Sequence, residues 1–398
     1  MLDCYNDIIL IIRSAISGRP ASISENPDIE KIADIAGQHQ ISGLVYYGAV
    51  QCGVPQNDPR MKKLFALLCI DIVNHERQLR DINRVTEAFL QSKADYMPLK
   101  GINLKKLYPR PEMRNMCDAD ILIKPEQHKI IASALKGIGF SALKESAHEY
   151  IFAGEFLNLE LHKCLIPPYD KDLYDFFGDG WQFAEKGNNQ FEYKMSEENE
   201  FLFLFAHFAK HYRSGGVGIK QLTDLKVFLN AYPDLNTEYI ISMLKKMGLF
   251  KFYVNIMHLL AVWFESEKSD KKTDFLTSVI FESGPFGTYE TRFVADTAVS
   301  ANNKRNNALK LHFLRLIFPP LESMRLQYRI LNNAPFLLPA VWVARWFKVI
   351  IFKNYKVNKR LREYNIISGT SIEDYRSTLN YVGLTCNFEE KNAADECD

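Results

Sequence analysis

Apolar residues recur at helical spacing through the first 94 residues of the chain. The clearest stretch is 61–94, where they stand mostly three or four positions apart: Leu64, Leu67, Leu68, Ile72, Leu79, Ile82, Val85 and Phe89. This period places them on one face of an α-helix. Shorter stretches of the same kind cover residues 4–18 and 28–50. The pattern predicts an N-terminal helical region over residues 1–94, and it places Cys69 in the core.

Short apolar runs replace the helical spacing from residue 95 onward. The runs at 96–99 and 119–123 are typical of buried strands, and each stops at a turn signal, Lys100-Gly101 or Lys124-Pro125. Residues 126–138 return to helical spacing and end before a glycine, as helices commonly do. Three further strands are predicted, at 141–143, 148–152 and 156–162. Residues 95–195 are therefore expected to form a compact core of sheet and helix.

Helical patterns return at residue 196 and divide the rest of the chain into three parts. Residues 196–265 predict a helical domain that packs on the core, and residues 273–372 predict a C-terminal helical region rich in basic residues. Residues 373–398 are polar and acidic, and we expect this tail to be partly disordered. The predicted fold class is α+β, with a central mixed-sheet core flanked by N- and C-terminal helical regions.

The composition narrows the class of protein. The 398 residues are 47% hydrophobic and 24% charged with a net charge of +1, which is typical of a globular protein with no overall preference for polyanions. The seven cysteines are scattered and form no C-x-x-C pair, which argues against a structural zinc site or a redox pair. The N-terminal segment lacks the basic residues that open a signal peptide. We expect a cytoplasmic location.

Two carboxylates stand two residues apart at the start of the second predicted strand. Asp118 and Asp120 would point to the same face of that strand, where their charges repel unless a cation lies between them. Magnesium prefers oxygen ligands and commonly joins carboxylates to substrate phosphates. A D-x-D pair alone is more often two surface acids, so the prediction of a metal site depends on what surrounds it.

Three further features strengthen this prediction. Lys100-Gly101 ends the preceding strand at a turn where backbone N–H groups and a cation can meet a phosphate. Arg114 lies between that turn and the aspartates in sequence. Glu160 and His162 share one face of a later strand, and a third carboxylate from a neighbouring strand is what a two-metal phosphoryl-transfer site needs.

These motifs together resemble a bacterial family of largely uncharacterised nucleotidyltransferases in the DNA polymerase beta superfamily. The resemblance rests on Leu99-Lys100-Gly101, Tyr108-Pro109, Arg114, Asp118-Ala119-Asp120 and Glu160-Leu161-His162. It extends over most of the chain from about residue 60, into segments near Phe318-Pro319 and Leu337-Leu338-Pro339. Ile102 follows the glycine where the superfamily usually has glycine or serine.

The resemblance implies a metal-dependent transfer of a nucleoside monophosphate from a nucleoside triphosphate to an unknown acceptor. Asp118, Asp120 and Glu160 would hold Mg²⁺ or Mn²⁺, and Glu160 would also help the acceptor hydroxyl to lose its proton. Lys100, Gly101 and Arg114 would bind the nucleotide phosphates. His162 would orient the acceptor or a carboxylate, or simply be a satisfied histidine of the strand.

Two alternatives stay open at this stage. One is a glycosyltransferase that uses the D-x-D pair to hold a metal and a nucleotide-sugar diphosphate, which would need a nucleotide-binding α/β half before residue 118. The other is a catalytically inactive relative that acts as a binding protein.

His207, His211 and Asp224 form a second polar group in the helical domain. The two histidines lie on one helix face, but Phe208 stands where the metalloprotease pattern H-E-x-x-H needs a glutamate. We therefore expect these residues to line the acceptor side of the cleft or to form hydrogen bonds across helices, rather than to bind a metal.

Basic residues concentrate between residues 303 and 363. This segment holds 13 lysines and arginines against two acids, a net charge of +11. Its apolar stretch at 336–352 is broken by Arg345 and Lys348, which argues against a transmembrane helix. A basic amphipathic helix can lie at an anionic membrane surface, here the inner membrane, or pack in the core with its basic residues in solvent. No nucleic-acid-binding motif accompanies it, so we predict no nucleic-acid partner.

Overall fold

The computed structural model describes residues 2–146, 148–168, 170–288, 291–292, 294–295, 318–325, 328, 330–352 and 372–385. The parts of the basic segment at 303–317 and 353–363, and the last residues of the tail, therefore lie outside the described residues. No helix within the described residues is long and apolar enough to cross a membrane.

The helices precede and follow a central group of strands. The strands are β1 (Tyr96–Pro98), β2 (Asp118–Ile123), β3 (Ser141–Glu145), β4 (Glu149–Ala153), β5 (Asn158–His162), β6 (Glu185–Lys186) and β7 (Tyr193–Lys194). The helices before and among them are α1 (Leu2–Ser17), α2 (Ile29–Gln38), α3 (Ser42–Gln51), α4 (Lys62–Gln91), α5 (Gly101–Leu104), α6 (His128–Gly137) and α7 (Lys171–Phe177). The helices after them are α8 (Glu197–Arg213), α9 (Ile219–Ala231), α10 (Thr237–Lys246), α11 (Phe250–Glu265), α12 (Lys271–Ser283), α13 (Leu321–Arg325), α14 (Ile330–Asn333), α15 (Leu338–Phe352) and α16 (Ile372–Val382).

Five strands form one mixed sheet in the order β1-β2-β5-β4-β3. Strand β2 is antiparallel to β1 and parallel to β5, whereas β4 is antiparallel to both β5 and β3. The predicted α+β fold with a mixed sheet between helical regions is confirmed. The parallel pair at the centre of the sheet sets the register of the site, because it aligns Asp120 with Glu160.

The two faces of β2 pack against different layers. Ala119, Ile121 and Ile123 point into a core formed with α4 and α6, whereas Leu122 points into the core of the helices that flank the other face. Helices from both ends of the chain share this second core. Arg13 of α1, for example, donates from Nε to the carbonyl oxygen of Trp263 in α11 at 2.6 Å.

The structure corrects the expectation for Cys69 and adds a helix at the start of the polar C-terminal segment. Cys69 is exposed rather than in the core, because α4 turns Leu64, Leu68 and Phe89 inward and leaves Cys69 on its opposite side. The polar segment from residue 373 begins with α16, whose Leu379 is buried. The polar average composition of this segment conceals the apolar face of the helix, which ends at buried Val382 and is followed by buried Leu384.

Candidate active site

Strands β2 and β5 bring three side chains with metal-ligating atoms together. Asp120 lies beside Glu160 in the parallel register, and His162 follows two residues later on the same face. His162 Nε2 is 2.7 Å from Asp120 Oδ1 and 3.9 Å from Glu160 Oε2. Within the described part of the chain, Asp120, Glu160 and His162 are the group whose ligand atoms could hold a metal ion, all within 4.8 Å of one another.

Asp118 lies at the start of β2, in the wall of the same cavity. It shares a face with Asp120 but is not one of the three closely grouped residues. The cavity has a volume of about 370 Å³ and is bounded by the sheet on one side and by helices α8 and α9 on the other. Asp118, Asp120 and Glu160 thus open into one space, although the role of each as a metal ligand remains a prediction.

The turn between β1 and α5 presents Lys100 to the carboxylates. Its Nζ atom donates to Asp120 Oδ1 at 2.9 Å. The backbone of Lys100 has φ 43° and ψ −110°, a strained conformation for a residue with a side chain. Gly101 follows where space is short, because a Cβ atom there would lie 2.9 Å from both Arg114 Nη1 and Met116 Sδ. The Lys100-Gly101 pair therefore allows close packing against the loop that leads into β2.

Arg114 joins this loop to helix α9 through a buried ion pair. Its Nε and Nη2 atoms donate to the two carboxylate oxygens of Asp224 at 2.8 and 2.9 Å. The hydroxyl of Tyr108 donates to the same carboxylate at 2.7 Å. Arg114 and Asp224 both line the cavity, yet their polar atoms are largely engaged with each other. Contacts of Arg114 with a phosphate and of Asp224 with an acceptor remain predictions.

Helix α8 supplies the opposite wall with His207 and His211. Their Nε2 atoms are 3.2 Å apart, so one ring donates to the other, which requires at least one neutral ring. Burial lowers the pKa of His207 well below its usual range and that of His211 to about 3, with Lys100 adding to both effects. The pair is therefore neutral at pH 7 and faces the cavity as hydrogen-bonding groups. Its place on the acceptor side is still a prediction.

The structure adds cavity residues that the sequence analysis missed, among them Lys210 and Lys220. Lys210 Nζ lies 3.7 Å from Asp170, and Lys220 Nζ donates to Gln40 Oε1 at 2.8 Å. A signal existed in the sequence. Lys210 follows His207 by three residues and Lys220 precedes Asp224 by four, spacings that put each lysine on the helix face of a residue already singled out.

The cavity disfavours the ionised forms of Glu160 and Asp118 but favours that of Asp120. Burial raises the pKa of Glu160 to about 7, and Asp118, Asp120 and Glu149 reinforce the effect. Burial and the charge of Asp120 also raise the pKa of Asp118. For Asp120, burial is outweighed by Lys100 and His162, which hold its pKa well below the usual range. A divalent cation beside these oxygens would relieve this repulsion.

Glu160→Gln is expected to stabilise the metal-free protein above neutral pH. The pKa of Glu160 in the folded state, about 7, exceeds the 4.5 of an unperturbed glutamate. The unfolded chain therefore loses this proton first, and the wild type loses stability on the order of 2 kcal/mol as the pH rises from 4.5 to 7. Thermal unfolding with EDTA should show a difference between variant and wild type that grows across this window. A difference that does not change with pH would contradict the expectation.

Solved structures with some similarity to this chain include two of the antibiotic-resistance factor ANT(2'')-Ia. Its solution structure is 11% identical, with a TM-score of 0.33, and the match covers 48% of this chain and 99% of that one. A crystal structure in complex with adenylyl-2''-tobramycin is also 11% identical, with a TM-score of 0.32, and covers 45% of this chain and 99% of that one. No curated protein matches the chain.

A sequence-family profile matches residues 25–265, and its family is described as "Uncharacterised nucleotidyltransferase". The match begins before residue 60, where the resemblance in the sequence was expected to start, and it ends before the segments near residues 318 and 337. It includes the whole mixed sheet and helices α8 and α9, hence every residue of the cavity described above. Since more than half of the chain is matched, the protein belongs to this family of nucleotidyltransferases.

Proposed function

We propose that this protein transfers a nucleoside monophosphate from a nucleoside triphosphate to an acceptor hydroxyl, with Mg²⁺ or Mn²⁺ as cofactor. The observation that carries the proposal is the group Asp120, Glu160 and His162 next to Asp118, in a cavity that also contains Lys100, Lys210 and Lys220. Carboxylates for a cation and lysines for a polyphosphate meet in one space, and family membership supplies the reaction class.

The donor set fits a hard divalent cation. Asp118, Asp120 and Glu160 offer the oxygen atoms, and the nitrogen of His162 that faces them is hydrogen-bonded to Asp120. The raised pKa values of Asp118 and Glu160 fit the same assignment, because burial and the neighbouring carboxylates both disfavour their ionised forms and a cation would offset both effects. A cation held by these residues would neutralise charge on the phosphate under attack.

The side chains of the protein account for the remaining chemistry. Glu160 faces the cavity beside Asp120 and accepts the proton of the acceptor hydroxyl. The acceptor oxygen then bonds to the α-phosphorus while the bond from that phosphorus to the bridging oxygen breaks, and pyrophosphate leaves. Lys100 and Lys220 offset the charge of the triphosphate, and His162 positions Asp120 through their hydrogen bond.

The alternative of a D-x-D glycosyltransferase has less support. It needs a nucleotide-binding α/β half before Asp118, and the described residues from 2 to 91 contain helices and connecting turns but no strand. The alternative of an inactive relative differs from the proposal in predicting no metal-dependent binding of a triphosphate.

A thermal-shift screen of the four ribonucleoside triphosphates, each with Mg²⁺, Mn²⁺ or EDTA, tests the proposal. At least one triphosphate should raise the unfolding temperature only when the metal is present, since a ligand stabilises the state that binds it. The Asp118→Asn/Asp120→Asn variant should lose this shift. The proposal would be contradicted if none of the triphosphates gave a metal-dependent shift of the unfolding temperature.

We also propose that the basic segment 303–363 contacts an anionic membrane surface. Its described part exposes apolar side chains, with Phe336 78% exposed and Val343 46% exposed. Trp342, by contrast, donates to the carbonyl oxygen of Pro319 at 3.0 Å and packs edge-on against Phe318. Trp342 and Phe318 therefore pack against each other, whereas the exposed side chain of Phe336 would enter the lipid interface.

Flotation of the full chain with vesicles tests this contact. Binding is expected with vesicles that contain phosphatidylglycerol, and it should weaken at high salt and with Phe336→Ser. Ile130→Ser is the matched control, because Ile130 is a 56% exposed apolar residue of α6, outside this segment. No flotation at low salt, or an equal loss with both variants, would contradict the contact.

A further inference from the structure

A second cavity lies behind the sheet, on the face away from the carboxylates. It has a volume of about 410 Å³ and is enclosed by helix α4, strands β1 and β2, and the turns after α5. Ile121 contributes to its wall, whereas its neighbour Asp120 points to the active-site cavity. Successive residues of a strand face opposite sides, so the two cavities are separated by the sheet itself. Nothing in the proposed transfer reaction uses this second space.

A buried lysine lies in the wall of the second cavity. Lys105 is only 7% exposed. The hydrogen bond of its ammonium group is to Gln78 Oε1 at 3.4 Å, and no carboxylate in the described part of the chain forms an ion pair with it. Burial lowers the pKa of Lys105 to about 8, and Arg114 adds to the effect while Asp71 and Glu112 oppose it. Burial of an ammonium group with so weak a partner costs free energy of folding, because its lost hydration is not replaced. This indicates a site where a bound anion forms an ion pair with Lys105.

The other residues that line the cavity indicate the chemistry of the uncharged part of a ligand. Leu79, Ile82 and Ile102 supply apolar surface near Lys105, and Asn83 and Asn188 add neutral polar groups. Glu192 also lines the cavity, where it accepts a hydrogen bond from the hydroxyl of Tyr96 at 3.3 Å. A mostly apolar pocket with one buried cation is the usual form of a site for a small molecule with one charged end.

We propose that the second cavity binds a small amphipathic oxyanion, whose carboxylate or phosphate group pairs with Lys105 and whose apolar part packs against Ile82 and Ile102. The site is separate from the transfer reaction and does not depend on it. Gln78 connects the two regions, because its Nε2 atom donates to the carbonyl oxygen of Met116 at 2.6 Å and Met116 lines both cavities.

Octanoate and inorganic phosphate, titrated separately onto the full chain, are the probes. At least one should raise the unfolding temperature of the wild type. Lys105→Met should weaken the apparent affinity of the protein for that probe at least about tenfold, since a hydrogen bond to a charged group is lost. Lys129→Met, which removes an exposed lysine of α6 outside the cavity, should bind like the wild type. The Asp118→Asn/Asp120→Asn variant should also keep the response, because its changes lie on the other face of the sheet.

Stabilisation by octanoate would identify the charged group of the ligand as a carboxylate, and stabilisation by inorganic phosphate would identify it as a phosphate. Either result supports the site if the stabilisation depends on Lys105. A second measurement needs no variant. Acetylation of the wild type by acetic anhydride, followed by mass spectrometry, should show Lys105 protected by the active probe and Lys129 modified equally with and without it. The proposal is overturned if neither probe stabilises the wild type, if the response survives Lys105→Met, or if Lys105 is acetylated to the same extent with and without the probe.

Discussion

Transfer of a radiolabelled nucleoside monophosphate is expected to fall by at least about a thousandfold in the Asp118→Asn/Asp120→Asn variant. Both side chains open into the cavity, and Asp120 contacts Lys100 and His162 there. Asparagine keeps the shape of each side chain but removes the negative charge that would hold a divalent cation. The loss should come from catalysis and metal binding. Asp118→Asn removes a charge that the folded state disfavours, whereas Asp120→Asn weakens the contacts with Lys100 and His162, so the folding of the variant has to be measured separately.

The measurement uses triphosphates labelled on the α-phosphate, with a deproteinised cell extract as the source of acceptors. Asp95→Asn is the matched control, because Asp95 precedes the same sheet but pairs with Lys124 outside the cavity. Thermal unfolding in EDTA should show that the double variant is folded. Unchanged transfer by a folded double variant would rule out the proposed metal site, whereas equal loss in Asp95→Asn would show that the assay reports stability rather than chemistry.

The elements of the central sheet could be predicted from the sequence because their signals are local. The apolar run at 119–123 stops at Lys124-Pro125, and β2 ends at Ile123. The spacing of Asp118 and Asp120 is enough to put both on one face of a strand. Glu160 and His162 follow the same rule on β5. What brings the two strands into contact is their parallel pairing, which depends on the whole connection through α6, β3 and β4.

Partners that are distant in sequence could not be predicted in this way. Arg114 was expected at a phosphate, and no local pattern indicates that its guanidinium pairs with Asp224, 110 residues later. Lys100 likewise contacts Asp120 from a backbone conformation with positive φ, which the sequence does not suggest for a lysine. Exposure was also hard to predict. The period of α4 suggests one continuous apolar face, yet Leu79 is 42% exposed while Gln78 beside it is buried and donates to the carbonyl of Met116.

Arg114→Met is expected to destabilise the protein by about 3–5 kcal/mol, the largest stability effect of the changes considered. The substitution leaves the carboxylate of Asp224 buried with Tyr108 as its remaining close partner. An ionised group in that position has lost both charge-assisted hydrogen bonds. Denaturation by urea, followed by fluorescence and circular dichroism, measures the effect. Lys226→Met should cost less than about 1 kcal/mol, because Lys226 pairs with the exposed Glu265.

The double variant Arg114→Met/Asp224→Leu separates the value of the pair from the cost of breaking it. Replacing both charges by apolar side chains removes the uncompensated carboxylate, so most of the lost stability should return. The free energies of unfolding of the two single variants and the double variant are compared with that of the wild type. The difference between the double change and the sum of the single changes gives the coupling energy of Arg114 and Asp224. If the double variant is no more stable than Arg114→Met, the damage comes from lost packing between the loop before β2 and helix α9. Recovered stability without recovered nucleotide binding would mean that this ion pair also shapes the phosphate side of the cavity.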